Sequence, residues 1–365
     1  MSAQRAPVTE WTDPPGWNAL VDRMEGGFFT QLWEWGELRR SIGWEPHRIS
    51  WGEADAATPP SAATQLVVRR IPVARWGVAH APRGPLGARS PETASRLAGD
   101  LASWARGRRI ATLVVDPDIT AGTPLGDALD RAPWRPAAGV GENRVHVLDF
   151  AEGVDPWAGV RRKHREWVRR AEKANVDVIW ADADTPDAEA SAAMDRFERV
   201  YGELVERLNL STHGPAFTRR LWELFRAARR AQLVTATVAG EPVAAMLHVT
   251  WGNVMLWYAG GQAEAGAPMG AGKLLLWRSI QRAQELGMRR YHMWGTATDS
   301  LAHYKEGFGA REERYVGTRS AALNPVADKV VEGLWVAQRT VLGWRQTGGP
   351  VQGVRERLAR RSART

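Results

Sequence analysis

Apolar residues recur at helical spacing through residues 273–286. There Leu274, Leu275, Trp277, Ile280 and Ala283 cover one side, and Arg278, Arg282 and Glu285 the other. The same spacing predicts a helix over 156–175, with Trp157, Val160, Trp167, Val168, Ala171 and Ala174 available for packing. Residues 185–209 read as one helix or two short ones, with Thr185 as a cap before Pro186. Elsewhere the period drops to two. Residues 66–70 and 112–115 read as strands, and 233–238, 242–250 and 254–258 as a meander turning at Ala239-Gly-Glu and Trp251-Gly-Asn. Another strand closes at Trp294-Gly295. Beyond Asn324 an amphipathic stretch (Val330, Val331, Leu334, Trp335) predicts a last helix, followed by a frayed basic end over 355–365.

One unit is written twice. Arg83-Gly-Pro-Leu-Gly87 leads into a helical stretch over 91–106, then Gly107 and an apolar run to Asp116. Ala267-Pro-Met-Gly270-Ala-Gly272 leads into the 273–286 helix, then Gly287 and a run to Gly295. Gly87 and Gly270 stand 183 residues apart, and Gly107 and Gly287 180 apart. Two landmarks at nearly one offset imply a duplicated loop, helix and strand, each helix closed by glycine. A glycine loop opening a helix offers free N–H groups to an oxygen ligand. Residues 267–274 nearly match a phosphate-binding loop, but Ala267 replaces its first glycine and Leu274 its Ser/Thr, which excludes nucleotide hydrolysis. The loop is more similar to the acyl-CoA loop of the N-acetyltransferase superfamily, although Ala267 lacks the leading Gln/Arg of that motif.

Composition narrows the class. A chain of 365 residues suits about two domains, at ~150 residues each. No apolar run reaches the ~18 residues of a spanning helix, and the N-terminus lacks the apolar core of a secretory signal. The absence of cysteine excludes disulfides and thiolate metal sites and fits a cytoplasmic protein. The eight histidines show no metal-ligand spacing, so no metal is expected. A net charge of +8 and a pI near 10.2 favour an anionic partner.

Two features sharpen that expectation. Arg161, Arg165, Arg169 and Lys173 recur every fourth residue, a ridge in which each like-charged pair costs roughly 0.2–0.5 kcal/mol. Glu166 and Glu172 relieve part of this through Arg170 and Arg169, and a phosphate backbone would neutralise the rest. Lysine is scarce, occurring only at 163, 173, 273, 305 and 329. Lys305 lies between Tyr304 and a Gly-Phe-Gly turn just past the 294–295 strand end, a place for an ammonium that stabilises a developing oxyanion.

Together these residues resemble the Fem aminoacyltransferases (the FemABX family) from about residue 28 to 324. The matching motifs are Gln31-x-x-x-Trp35-x-x-x-Arg39 with Gly43-Trp44, Pro82-Arg83-Gly-Pro85, Asp116-Pro-Asp118, and the basic run 161–173. Trp257-Tyr-Ala-Gly260, the helix before Gly287 and Tyr304-Lys-Glu-Gly-Phe308 complete the set. The resemblance implies an α/β (α+β) fold of two tandem GNAT-like domains with mixed sheets flanked by helices. The first would span 1–147 plus a returning 319–365, and the second 148–318. It implies transfer of an amino acid from aminoacyl-tRNA to the peptide of a peptidoglycan precursor, soluble or lipid-linked, by a cytoplasmic monomer that needs no cofactor and would visit the inner membrane surface if the acceptor is lipid-linked.

Carried over residue by residue, Arg39 matches a lysine on the precursor's diphosphate, with Arg40 and Trp44 adjoining, and Arg83 lies in a second binding motif. Tyr258 matches a substrate-contacting tyrosine, and His213 and Phe217 stand where soluble-precursor enzymes carry arginine and tyrosine. Lys305 matches a lysine near the reacting ester, Asp116 an aspartate considered for catalysis, and Arg161, Arg165, Arg169 and Lys173 the RNA-facing ridge. Ala111 and His292 replace a family tyrosine and aspartate. Three other readings remain: an acetyl-CoA-dependent N-acetyltransferase, a tRNA-dependent transferase of antibiotic assembly, and a non-catalytic nucleic-acid binder.

Overall fold

Two sheets form, each built around one copy of the loop–helix–strand unit. The computed structural model describes residues 8–52, 60–70, 76–88, 90–120, 122–131, 133–137, 143–210 and 212–329. The tail helix expected near Val330 and the basic end lie outside the described residues. The chain begins with β1 (Val8–Glu10), α1 (Pro14–Arg23), α2 (Trp33–Arg40), β2 (Glu45–Trp51), β3 (Ala62–Arg70), β4 (Gly77–Ala81) and β5 (Leu86–Gly87). It continues through α3 (Pro91–Gly107), β6 (Ile110–Val115), α4 (Pro124–Leu129) and β7 (Trp134–Pro136). Then come β8 (Arg144–Asp149), α5 (Pro156–Gly159), α6 (Arg162–Lys173), β9 (Asp177–Ala181), α7 (Asp187–Leu208) and α8 (Pro215–Ala227). After β10 (Ala231–Val238), β11 (Glu241–Trp251) and β12 (Val254–Gln262) lie α9 (Ala271–Glu285), β13 (Arg290–Gly295), α10 (Asp299–Glu306), β14 (Arg311–Arg314) and β15 (Arg319–Ala322).

The first sheet runs β1-β2-β3-β4-β6-β15-β7, with β5 on β3; the second runs β14-β8-β13-β12-β11-β10-β9. In each sheet one parallel pair brackets the repeated helix: β4 and β6 around α3, β12 and β13 around α9. A parallel pair needs such a crossover. β15 follows the whole second sheet yet lies in the first, between β6 and β7. The expected division after residue 147 falls inside β8, whose register with β13 and β14 ties it to the second sheet from Arg144 to Asp149.

Local chemistry explains most boundaries. Ser90 accepts the Thr93 N–H and Pro91 opens α3, while α9 follows Gly270 at φ +78° and closes before Gly287 at φ +70°. In the first copy Gly107 is still helical, and Arg109 (φ 55°) makes the left-handed turn that hands its carbonyl to the Gly77 N–H. The helix expected over 156–175 is broken at Val160 and Arg161, both extended. Val160 is buried, and the Arg161 N–H donates to the Gly307 carbonyl at 2.9 Å. Residues 185–209 form a single helix, α7, but Thr185 caps nothing in it; its hydroxyl accepts the Asp182 N–H instead.

Apolar cores lie under α3 in the first sheet and under α6 and α9 in the second. A third fills the space between the sheets, where Trp17, Phe28 and Phe29 meet Phe197, Phe225 and Trp251. Phe28 and Trp251 stack with centroids 4.7 Å apart, and the Trp251 indole N–H donates to the Gly27 carbonyl at 2.7 Å. The Gln31 motif explains itself here. Its buried amide donates to the Pro82 carbonyl (2.6 Å) and accepts from the Gln65 N–H (2.6 Å), fastening the Pro82–Arg83 turn to the segment before α2. No helix among the described residues is long and apolar enough to cross a membrane.

Candidate active site between the two sheets

A cleft of about 420 Å³ opens where the halves meet. Arg39, His80, Arg83 and Asp116 line it from the first half, and Tyr201, Thr212, His213, Tyr258 and Trp294 from the second. Asp116, the residue after β6, is buried, and its Oδ1 accepts the Arg83 N–H at 3.0 Å and lies 3.0 Å from His80 Nε2. Arg83 is left-handed (φ 55°), a conformation costing roughly 1–2 kcal/mol that the Asp116 and Gln31 contacts hold in place. Across the cleft Trp294 is also left-handed (φ 57°), its N–H donated to His292 Nδ1 at 3.0 Å. The Arg83 guanidinium lies 5.7 Å from the Trp294 ring centroid.

Arg39 lies in the last turn of α2 with its guanidinium 4.7 Å from the Trp44 ring centroid. Among the described residues no carboxylate pairs with it. Burial, then the nearby Arg69, brings its pKa down to about 10, so it remains charged at neutral pH. Burial pushes the Tyr258 hydroxyl up, and burial followed by Arg39 holds the His213 imidazole below its ordinary value. The cleft therefore gathers Arg39, Arg83, Asp116, His213 and Tyr258. Three expected contacts do not line it. Arg40 turns outward to Glu37 (3.0 Å), Trp44 lies behind Arg39, and Phe217 lies behind His213 at 4.4 Å between centroids.

Lys305 departs most from expectation. It sits in helix α10, not in a loop, and is only 1% exposed. Its Nζ donates to Gly295 O (2.6 Å), Trp294 O (3.3 Å) and Thr296 Oγ1 (3.0 Å), which accounts for all three ammonium protons. It lines neither the inter-sheet cleft nor the basic cleft described next. It joins their walls, because it bonds Trp294 of one and follows Tyr304 of the other.

That second cleft, about 450 Å³, is lined by Arg161, Lys163, His164, Trp167, Lys273, Ser300, His303 and Tyr304. Burial, then Lys273, holds His164 down to about 4, so it is neutral at pH 7. The ridge reaches this cleft only at Arg161, which precedes α6 and pairs with Glu306 at 3.2 Å. Arg165, Arg169 and Lys173 continue along α6 away from it. Glu166 and Glu172 pair with Arg162 (3.5 Å) and Arg278 (3.1 Å), not with Arg170 and Arg169, so the ridge is relieved at Arg161 rather than at Arg169.

The loop before α9 is filled by protein. A Cβ on Gly270 would stand 3.0 Å from the Trp167 ring, so glycine is what lets that indole close over the loop. The Gly272 N–H donates to Gln262 Oε1 at 3.1 Å, and the Tyr304 hydroxyl donates to the Gly272 carbonyl at 3.0 Å. No group of three or more His, Asp or Glu among the described residues is arranged to hold a metal.

The cleft also holds His80, Tyr201 and Thr212, which no motif in the sequence marks. The signal for His80 was a single ionisable residue in an apolar strand, Val78-Ala-His-Ala81.

Residues 159–306 match the Acetyltransferase (GNAT) domain family. The structure of FemX superimposes with a TM-score of 0.76 at 14% identity, covering 89% of this chain and 100% of that one. The chain has the Fem fold. A conserved protein of unknown function from Bacteroides thetaiotaomicron VPI-5482 follows at a TM-score of 0.57 and 10% identity, covering 87% of this chain and 100% of the other. No curated protein matches in sequence. In the Fem fold the two sheets are tandem GNAT-like domains of mixed α/β architecture, and the inter-sheet cleft is the space between them.

Proposed function

We propose that this Fem-fold protein is an aminoacyltransferase that moves an amino acid from aminoacyl-tRNA to the peptide of a peptidoglycan precursor. The observation that carries this reading is the filled loop before α9. A GNAT domain that uses acyl-CoA needs that helix N-terminus open to a pyrophosphate. Here Trp167 packs against Gly270, and Gln262 Oε1 already accepts the Gly272 N–H. The donor must then bind elsewhere, and the basic cleft with Arg161, Lys163 and Lys273 suits the phosphates of an RNA end. Arg165, Arg169 and Lys173 extend that charge for more of the backbone.

The acceptor enters the inter-sheet cleft. Arg39, charged, desolvated and unpaired with any carboxylate among the described residues, offers its diphosphate a planar two-donor partner. Aminolysis of an ester is downhill, so the enzyme's task is chiefly to hold two reactants in line. Lys305 serves this indirectly, by fixing the Trp294–Thr296 turn between the clefts. Membrane visits follow if the acceptor is lipid-linked.

The test is a panel of radiolabelled aminoacyl-tRNAs against soluble and lipid-linked precursors, with acetyl-CoA alongside. Label passing from one tRNA to one precursor supports the reading. Acetylation of an amine acceptor, or RNA binding with no transfer to any precursor, overturns it.

A further inference from the structure

We propose that His80 is the base that deprotonates the attacking amine, with Asp116 its positioning residue. The inference rests on the aminoacyl-transfer reading above. An amine acceptor of lysine type is protonated near neutrality, and a proton acceptor must stand in the inter-sheet cleft before its lone pair can attack. Most of the cleft's ionisable groups cannot serve. Arg39 and Arg83 are guanidinium donors with no acceptor atom to receive a proton. Burial keeps the Tyr201 and Tyr258 hydroxyls protonated.

His80 has the geometry of an oriented base. Ala79 and Ala81 face the core under α3, so strand alternation turns His80 to the opposite face. The β4–β6 register sets His80 beside Val114, and Asp116, two residues on, shares that face. Asp116 Oδ1 is already fixed by the Arg83 N–H at 3.0 Å, and its 3.0 Å contact with His80 Nε2 assigns the imidazole proton to that nitrogen. Nδ1 is left as the nitrogen able to take a proton. A nucleophile's base held by a carboxylate is the arrangement that activates weak nucleophiles in general. His213 is the other imidazole of the cleft, but it packs on Phe217 and its environment supplies Arg39 rather than a carboxylate.

The acceptor ammonium gives one proton to His80 Nδ1, and its nitrogen lone pair forms the C–N bond to the ester carbonyl carbon. The tetrahedral adduct loses a second nitrogen proton to water. Its bond to the ribose oxygen then breaks, and the imidazolium returns the first proton to that oxygen. The titratable groups that line the cleft with His80 are Asp116, which it contacts, and Arg83, Arg39, His213, Tyr201 and Tyr258.

The experiment follows kcat and KM for full-length wild type, His80→Gln, Asp116→Asn and His213→Gln from pH 5.5 to 9, with thermal melting to verify folding. His80→Gln is expected to lower kcat about 10²–10⁴-fold with KM within about threefold, and to regain rate steadily as rising pH deprotonates the amine itself. Asp116→Asn should lose roughly 10–100-fold and shift the acid limb. His80→Gly should recover activity with added imidazole, which separates a missing base from a disturbed fold. Wild-type kcat and an unchanged acid limb in His80→Gln overturn the inference, as does a collapse confined to His213→Gln. If the wild type transfers no amino acid at all, the aminoacyl-transfer reading falls, and the inference falls with it.

Discussion

Replacing Lys305 with methionine keeps most of the side-chain volume and removes the ammonium alone. Three oxygens then lose their donor: the Trp294 and Gly295 carbonyls and the Thr296 hydroxyl. Hydrogen bonds to a charged group contribute about 1.5–3 kcal/mol each, roughly 5–9 kcal/mol for three, from which the desolvation of a fully buried ammonium takes back several. Removing one side of such a cluster costs about 3–5 kcal/mol, because its acceptors stay buried. At about 2 °C per kcal/mol for a chain of this size, melting should fall by roughly 6–10 °C. Calorimetry and urea unfolding on the purified variant read this directly. A methionine variant that melts within about 1 °C of the wild type yet transfers nothing would refute the reasoning, and would return Lys305 to the oxyanion role its sequence neighbours suggest.

Arg39→Ala should raise KM for a diphosphate-bearing acceptor about 10–100-fold, the worth of a charge-assisted contact, while kcat stays within about twofold; steady-state kinetics decide it. Gly270→Ala combines a left-handed φ of +78° with a Cβ 3.0 Å from Trp167, and should cost about 1–2 kcal/mol in urea unfolding. Asp118 supplies a pH dependence. Burial raises its carboxyl to about 6 from 3.8, against a weaker pull from Arg83, so the folded protein binds more protons than the unfolded chain between those values. Stability contributed at low pH is therefore lost as pH climbs from about 4 to 6, by up to about 3 kcal/mol. Asp118→Asn should flatten that decline in urea midpoints measured at pH 4, 5, 6 and 7.

Periodicity located α9, the β10–β12 meander and both copies of the repeat, because their apolar positions are set by local geometry alone. It failed where a distant backbone intervenes. Residues 156–175 keep helical spacing throughout, yet the Gly307 carbonyl claims the Arg161 N–H and breaks the helix. Lys305 looked accessible from its neighbours, since nothing in Tyr304-Lys-Glu reveals three acceptors supplied by a strand end ten residues earlier. Arg39, Arg83, Asp116, His213 and Tyr258 were legible through family resemblance and do share a cleft. His80 was not, because its partner lies 36 residues away and only the β4–β6 register brings them side by side.

The apolar filling between the sheets bears on how substrates arrive. Phe28, Phe29, Phe225 and Trp251 belong to both halves at once, so neither half possesses a finished wall of its own there. Swinging one half away from the other would wet those rings, at about 25 cal/mol for every Å² uncovered. The gap between the modules is consequently a fixed slot, cut to one width when the chain folds, and on the proposed function the acceptor must thread into it from the rim.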